Sequence, residues 1–223
     1  MIRRIQNLAD SIIIFGAGGH SKVCFEVIQQ NKFKIICFVD PANIDDELIK
    51  SLKIPIYKNI TEVSDELLSM ESTFFIAIGD NEIRKNVYVE NSNLKYPSVI
   101  SKFSYMSASS KIGNGVIIMP NSTVSSNVTI GNFSIINSSS VIEHDVYLGN
   151  FSHVAPNASL GGGVVVGDQA LIGIGSCVIP NIKIGNNVTV GAGSTVINDV
   201  PNNCIVVGNP ARIVGTNEIK AQK

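Results

Sequence analysis

Tryptophan is absent from the 223 residues, aromatic residues of all kinds make up 6%, and histidine occurs only three times. A core built from such a chain is filled by Ile and Val rather than by large rings. Long apolar runs are missing too. None exceeds 5 residues, whereas a helix that crosses a bilayer needs ~20, so membrane insertion is not expected. The opening stretch MIRRIQNLAD is basic but has neither the apolar centre nor the cleavage site of a signal peptide. Charge of one sign is also lacking. Lys and Arg number 17 against 18 Asp and Glu, with no basic run, so nucleic acid is not an expected partner. The four cysteines, Cys24, Cys37, Cys177 and Cys204, form no CxxC pair. Their scatter argues against a zinc or disulfide framework and reads as buried thiols of a reducing, cytoplasmic setting.

What remains falls into two halves with different patterns. Residues 1–100 read as one domain, with α/β character over 11–100. An apolar run from Ser11 to Phe15 ends in Gly16-Ala-Gly-Gly-His20, and a helical pattern follows through Val23, Val27 and Ile28. A second run, Ile35 to Val39, closes on Asp40-Pro41. A helix is expected near residues 62–70, then a strand over Thr73 to Ile78, then a helix opening at Gly79-Asp80-Asn81. Strands alternating with helices imply a small parallel, Rossmann-like sheet.

In residues 101–223 the helical period disappears, and from Met106 a six-residue period replaces it. Aliphatic residues recur without exception at every sixth position from Ile112 to Val196. Four residues after them stand small or β-branched ones, such as Ser122, Ser134, Ala158 and Ser176. Gly followed by Asn or Asp comes directly after many of the aliphatics. This is the pattern of a solenoid with flat sides, in which a large and a small residue point inward and the Gly-Asn pair turns the corner. Three sides of six residues make an 18-residue coil, so the aliphatic positions imply five coils.

Chemistry has few candidate groups. His144 stands third in its hexad, at a corner, within Glu143-His144-Asp145 where a generic corner would read Gly-Asn. A neutral imidazole there can take a proton from an attacking amine or hydroxyl, and the adjacent carboxylate can orient it and raise its basicity. The plain alternative is a solvated polar corner. His153 lies nine residues on, half a coil away, on the far side of the same prism. The two can share a site only where neighbouring subunits meet. Gly162 lies one coil beyond His144 at the same corner; its N–H can serve a developing oxyanion, or Gly161-Gly162-Gly163 is a loose turn. Two histidines in the prism are too few for a metal site of three converging imidazoles, so no metal is expected.

In the first half, Gly18, Gly19 and His20 sit between a strand and a helix, where backbone N–H groups hold phosphate. Ser21 replaces a further Gly of the dinucleotide fingerprint, and a single mononucleotide-binding half suits a nucleoside diphosphate better than NAD. Asp40 and Gly79 stand at the ends of strands, on the edge where such sheets hold ligands. A vestigial domain without nucleotide is the remaining alternative.

The repeat resembles the hexapeptide-repeat acyltransferases, a likeness that covers residues 106–214 and includes the ending Val207-Gly-Asn-Pro-Ala-Arg212. It implies a left-handed parallel β-helix, homotrimers, and acetyl-CoA in the groove between neighbouring prisms. The whole chain resembles a narrower group, the sugar-nucleotide N-acetyltransferases of the bacillosamine pathway, with the sialic-acid O-acetyltransferases as relatives. The likeness is carried by Gly16 to His20, Phe74-Phe-Ile-Ala-Ile-Gly-Asp-Asn-Glu-Ile-Arg-Lys85, Ser140-Val-Ile-Glu-His-Asp145, Phe151-Ser-His153 and Ile172 to Asn181. It implies His144 as general base supported by Asp145, and contacts to acetyl-CoA from His153, Gly162, Ile174 and Ala192. It further implies a UDP-sugar held by Gly18, Gly19, His20, Asp40 and Gly79, although Pro41 stands where those enzymes often carry a second acidic residue. The expected activity is acetylation of the 4-amino group of a UDP-linked amino-deoxy sugar for surface glycan assembly. O-acetylation of a sialic acid and a non-catalytic, nucleotide-binding trimer are the alternatives.

Overall fold

The computed structural model describes residues 11–42, 44, 46–69 and 72–217; the MIRRIQNLAD stretch and residues 218–223 lie outside them. The described residues open with strand β1 (Ser11–Phe15), buried along its whole length. There follow helix α1 (Gly19–Gln30), strand β2 (Lys34–Val39), a short helix α2 (Glu47–Ser51) and strand β3 (Ile56–Tyr57). Helix α3 (Asp65–Ser69), strand β4 (Thr73–Ile76) and helix α4 (Asn81–Glu90) complete the α/β part. All four strands are parallel, in the order β3-β2-β1-β4. Side chains alternate across the sheet, as strand geometry requires. Ile12 and Ile14 join one core with Val27 and Ile28 of α1, while Ile13 and Phe15 join the other with Val63 and Tyr96. Asp80 caps α4, its Oδ1 accepting the Ile83 N–H at 2.9 Å. The expected helix near residues 62–70 is realised as a 3-10 turn, Ile60–Glu62, followed by α3.

Beyond α4 the backbone winds into a three-sided left-handed parallel β-helix of two-residue strands. Neighbouring coils pair at an offset of 18 residues, as in Thr129 with Tyr147 and Ile130 with Leu148. The ladder starts earlier than the six-residue pattern suggests, because Val99–Ile100 already pairs with Ile117–Ile118. With that addition and Cys204–Gly208 at the other end, this face carries seven parallel strands; the face that begins at Tyr105–Met106 carries six and the third five, so the prism runs beyond the five coils expected. The recurring aliphatics form a continuous core with Ala158 and Ala170, and Ser134, Ser152 and Ser176 are buried beside them. An antiparallel hairpin, Cys204–Gly208 with Ala211–Thr216, closes the far end.

The corners work differently from the Gly-Asn reading. Positive φ falls on the third residue after each aliphatic from Ile112 to Val190, as at Asn127 (59°), Phe133 (56°), Asp145 (61°), Phe151 (55°) and Asn157 (58°). The preceding Gly serves close approach instead. A Cβ on Gly131 would lie 2.6 Å from the backbone of Gly149 and Asn150 in the next coil. Between the two, Asn and Asp form a ladder in which each side-chain oxygen accepts the N–H one coil back, from Asn132 through Asn150 to Asp168. The cysteine reading also needs correction. Cys24, Cys37 and Cys204 are buried, but Cys177 occupies an outward strand position and is exposed.

The two parts share their cores. Ile117, Met119 and Ile135 of the prism pack into the α1 side of the sheet, and Phe133 and Phe151 into the other. The C-terminal edge of the sheet therefore faces one defined side of the prism.

Candidate active site

His144 follows the strand Val141–Ile142, at the corner opposite the face that meets the α/β part. Its ring is exposed, and Nδ1 lies 2.8 Å from Asp145 Oδ2. The hydrogen bond to Asp145 raises the His144 pKa above its ordinary value. With the proton on Nδ1 directed at the carboxylate, Nε2 is left as the acceptor. Asp145 is itself steadied from one coil back, its Oδ1 accepting from Asn127 Nδ2 at 2.6 Å. That bond, and the one to His144, hold the Asp145 pKa below the usual range. Gly162 lies beneath the imidazole: a Cβ there would stand 2.6 Å from both Cε1 and Nε2 of His144. Spacing brings these three together at one corner, as expected, and adds Asn127, which the same 18-residue step points to.

His153 lies on a different face, in the strand His153–Val154 that pairs toward the α/β part. Asn137 Nδ2 donates to its Nε2 at 3.0 Å, and the amide is oriented by Ser138 N–H, which donates to Asn137 Oδ1 at 2.8 Å. Nε2 is therefore an acceptor and Nδ1 carries the proton, and a hydrogen bond with the Gly79 backbone works against the lowering of the His153 pKa. The His20 ring lies against it, with centroids 6.2 Å apart. Burial first, and the Arg84 cation second, depress both histidines, His20 to about 4 and His153 to about 3. Both are neutral near pH 7. His20 Nε2 is buried and has no hydrogen-bond partner among the described residues.

A groove of about 1570 Å3 runs along this face, lined by Gly79, Asn137, His153, Pro156, Ile174 and Ala192. Its far end is walled by the amides of Asn186, Asn187, Asn203 and Asn217. His144, Asp145 and Gly162 are not among its walls. Thus one chain splits the expected residues between two places, a basic corner and a groove. A third group stands at the C-terminal edge of the sheet, and of it Gly79 reaches the groove. Gly18 and Gly19 open α1, are exposed, and have open space where a side chain would be. Gly79 follows β4, and a Cβ there would stand 3.8 Å from the Cβ and Cγ of His20. Asp40, at the end of β2, is engaged by backbone: Oδ2 accepts Ala17 N–H at 2.7 Å and Oδ1 accepts Ala42 N–H at 2.9 Å. It fixes the shape of the Gly-rich loop, a role its position in the sequence does not reveal.

Asn137 and Arg84 were not singled out by spacing. Asn137 had a signal, since it follows its aliphatic at the position where the repeat often has Gly. Among the described residues no group of three or more His, Cys, Asp or Glu is placed to hold a metal ion. No helix among them is long and apolar enough to cross a membrane.

Comparison with known proteins places this geometry. Residues 11–90 match the PglD N-terminal domain, and residues 109–144 and 163–198 match the bacterial transferase hexapeptide family. Among solved structures, a mutant perosamine N-acetyltransferase of Caulobacter crescentus, in complex with CoA and GDP-perosamine, is 30% identical with a TM-score of 0.83. The alignment covers 92% of this chain and 97% of that one. The acetyltransferase domain of PglB from Neisseria gonorrhoeae, in complex with acetyl coenzyme A, is 27% identical with a TM-score of 0.82, over 92% and 100% of the two chains. WeeI from Acinetobacter baumannii is 25% identical with a TM-score of 0.78, over 92% and 100%. An uncharacterised protein of Acanthamoeba polyphaga mimivirus is 32% identical over 113 residues, which are 51% of this chain but only 22% of that protein.

Proposed function

Because the chain belongs to the hexapeptide-repeat sugar acetyltransferases that carry a PglD-type N-terminal domain, we propose that it moves acetyl from acetyl-CoA to the 4-amino group of a nucleotide-linked amino-deoxy sugar, with UDP as the leading nucleotide. The observation that carries the reading is the corner of His144, where Asp145 orients the ring and Gly162 makes room for it. His144 Nε2 accepts the proton as the amine nitrogen bonds to the acetyl carbon. The Gly162 N–H is the donor to the oxyanion. The C–S bond then breaks, and His144 returns the proton to the CoA thiolate. No cysteine or serine is needed as an acyl carrier.

The groove suits the cosubstrate by its chemistry. Ile174 and Ala192 are among its walls, and the neutral amides at the far end can read a base. Gly18, Gly19, His20, Asp40 and Gly79 form the edge for the nucleoside diphosphate. The basic corner and the groove lie on different sides of one prism, so the complete site forms between subunits of a homotrimer. Exposed Tyr147, Val165, Ile179 and Ile197 lie on the side that carries His144 and supply the apolar surface such a contact needs. The product would enter assembly of a surface glycan.

Thiol release from acetyl-CoA, measured with UDP- and GDP-linked 4-amino sugars and with free sialic acid, tests the reading. Turnover with a nucleotide-linked amine, lost in His144→Ala, is the expected result. Turnover with sialic acid alone would instead assign O-acetylation, and no turnover with any acceptor a non-catalytic trimer.

A further inference from the structure

Arg84, in the first turn of α4, is 1% exposed. Its Nε donates to the Phe133 carbonyl at 2.8 Å, and its Nη2 to the Phe151 carbonyl at 2.8 Å and to Asn81 Oδ1 at 2.7 Å. Its Nη1 donates to the carbonyls of Ile78 at 2.9 Å and Gly79 at 3.0 Å. Phe133 and Phe151 occupy the same corner of consecutive coils, and Gln169 follows in the next. Asn81 Nδ2 donates to the Gln169 carbonyl at 3.1 Å, and Lys85 Nζ to its Oε1 at 2.6 Å. The first turn of α4 thus reads three stacked corners of the prism, and Arg84 ties two of them to the Gly79 carbonyl.

A buried cation held by carbonyls and an amide, with no carboxylate among its hydrogen-bond partners, is a costly way to dock a helix. Apolar contacts would dock it as well. What the guanidinium adds is a rigid fork whose donors point in fixed directions. Arg84 reaches the Gly79 carbonyl through Nη1 and the Phe151 carbonyl, two residues before His153, through Nη2, so the fork also ties the Gly79 edge to the strand that carries that histidine.

We propose that Arg84 is a positioning residue for the transfer. By gripping Gly79 together with the Phe133 and Phe151 corners, it holds the nucleotide-sugar edge in register with His153 in the groove. This rests on the functional reading above. The charged and titratable groups around His153 are His20 from α1, Arg84 and its neighbour Asp80 from α4, and Lys85 and Asp168 along the groove.

The test uses the full chain with Arg84→Met, Arg84→Lys and the docking control Lys85→Ala. Imidazole NMR titration of His20 and His153, thermal unfolding and steady-state kinetics are measured on each. Arg84→Met removes the second cause of both shifts and leaves burial in place, so it is expected to raise both midpoints from about 4 and about 3 part of the way toward 6.5. Arg84→Lys keeps the charge but loses the fork. It should leave the midpoints low, raise KM for the nucleotide sugar and lower kcat about tenfold or more, with CoA affinity unchanged. Lys85→Ala should leave the His153 titration where it was. Unchanged titrations in Arg84→Met, or kinetic losses that follow thermal stability alike in all three variants, would overturn the proposal. If Arg84→Met does not fold, the KM and kcat pattern of Arg84→Lys decides it. Wild-type protein that transfers acetyl to no acceptor overturns the functional reading separately, since the NMR result still reports what Arg84 positions.

Discussion

Gly162 lies 18 residues after His144, one coil away, and the imidazole occupies the space its Cβ would fill. The glycine backbone is not in the left-handed region, unlike that of Gly163 with its φ of +71°. Alanine is therefore acceptable to the chain at 162 but not to the ring. Gly162→Ala is expected to leave unfolding free energy within about 0.5 kcal/mol while lowering kcat about a hundredfold, because His144 must tilt off its bond to Asp145. Parallel urea unfolding and acetyl-transfer kinetics check this; equal losses in both would show that the ring position is irrelevant. The stacking of these two residues is legible in the sequence, from the 18-residue step alone. The steric reason is not, since spacing says which residues are neighbours but not which way a ring turns. Asn127, one step before Asp145, was reachable by the same arithmetic. Asp40 was not, because its two bonds to backbone N–H groups depend on how the Gly-rich loop folds back.

One element that joins the two parts is α4, and its docking depends on a departure from the repeat. Most left-handed corners carry Asn, Asp, Ser or Gly, which tolerate positive φ, but two consecutive corners of one column carry Phe133 and Phe151. Their rings stack at 5.1 Å and 5°, and Tyr88 of α4 lies 4.4 Å from the Phe133 centroid. Aromatics that accept an unfavourable backbone must gain more from burial, and Phe133 is 4% exposed. Phe133→Ala should cost about 3 kcal/mol, read by denaturant unfolding, with α4 amides losing hydrogen-exchange protection while prism amides keep theirs. Loss spread evenly over both parts would contradict a local docking role. Aromatic residues at a corner were visible in the sequence; their partner was not, because α4 lies far away in the chain. The early start of the prism at Val99–Ile100 is hidden in the sequence for a similar reason. Ile100 and Met106 keep the six-residue period, but no Gly-Asn follows them to mark a corner.

Across the whole molecule, the junction between the parts buries a neutral histidine pair beside a cation, and this makes its stability depend on pH in a definite direction. His20 and His153 have folded-state pKa values of about 4 and about 3, against an ordinary 6.5. As pH falls below 6.5 the unfolded chain takes up their protons and the folded chain does not. Stability is thus complete above pH 6.5 and declines from there down toward the folded values. Each histidine contributes a slope of up to about 1.4 kcal/mol per pH unit within that window. His144 acts with the opposite sign, since its pKa is raised, but it is fully exposed and its effect is small. The carboxylates with depressed pKa values begin to add only at lower pH. Urea unfolding compared between about pH 7 and pH 5 should show the full chain losing stability, and His20→Gln should remove roughly half of that slope. His144→Gln should leave the slope in place, which separates the buried junction from the exposed catalytic corner. A flat profile in the unsubstituted protein would mean that the junction opens to water far more readily than its packing suggests, and the Arg84 clamp would then have little to hold.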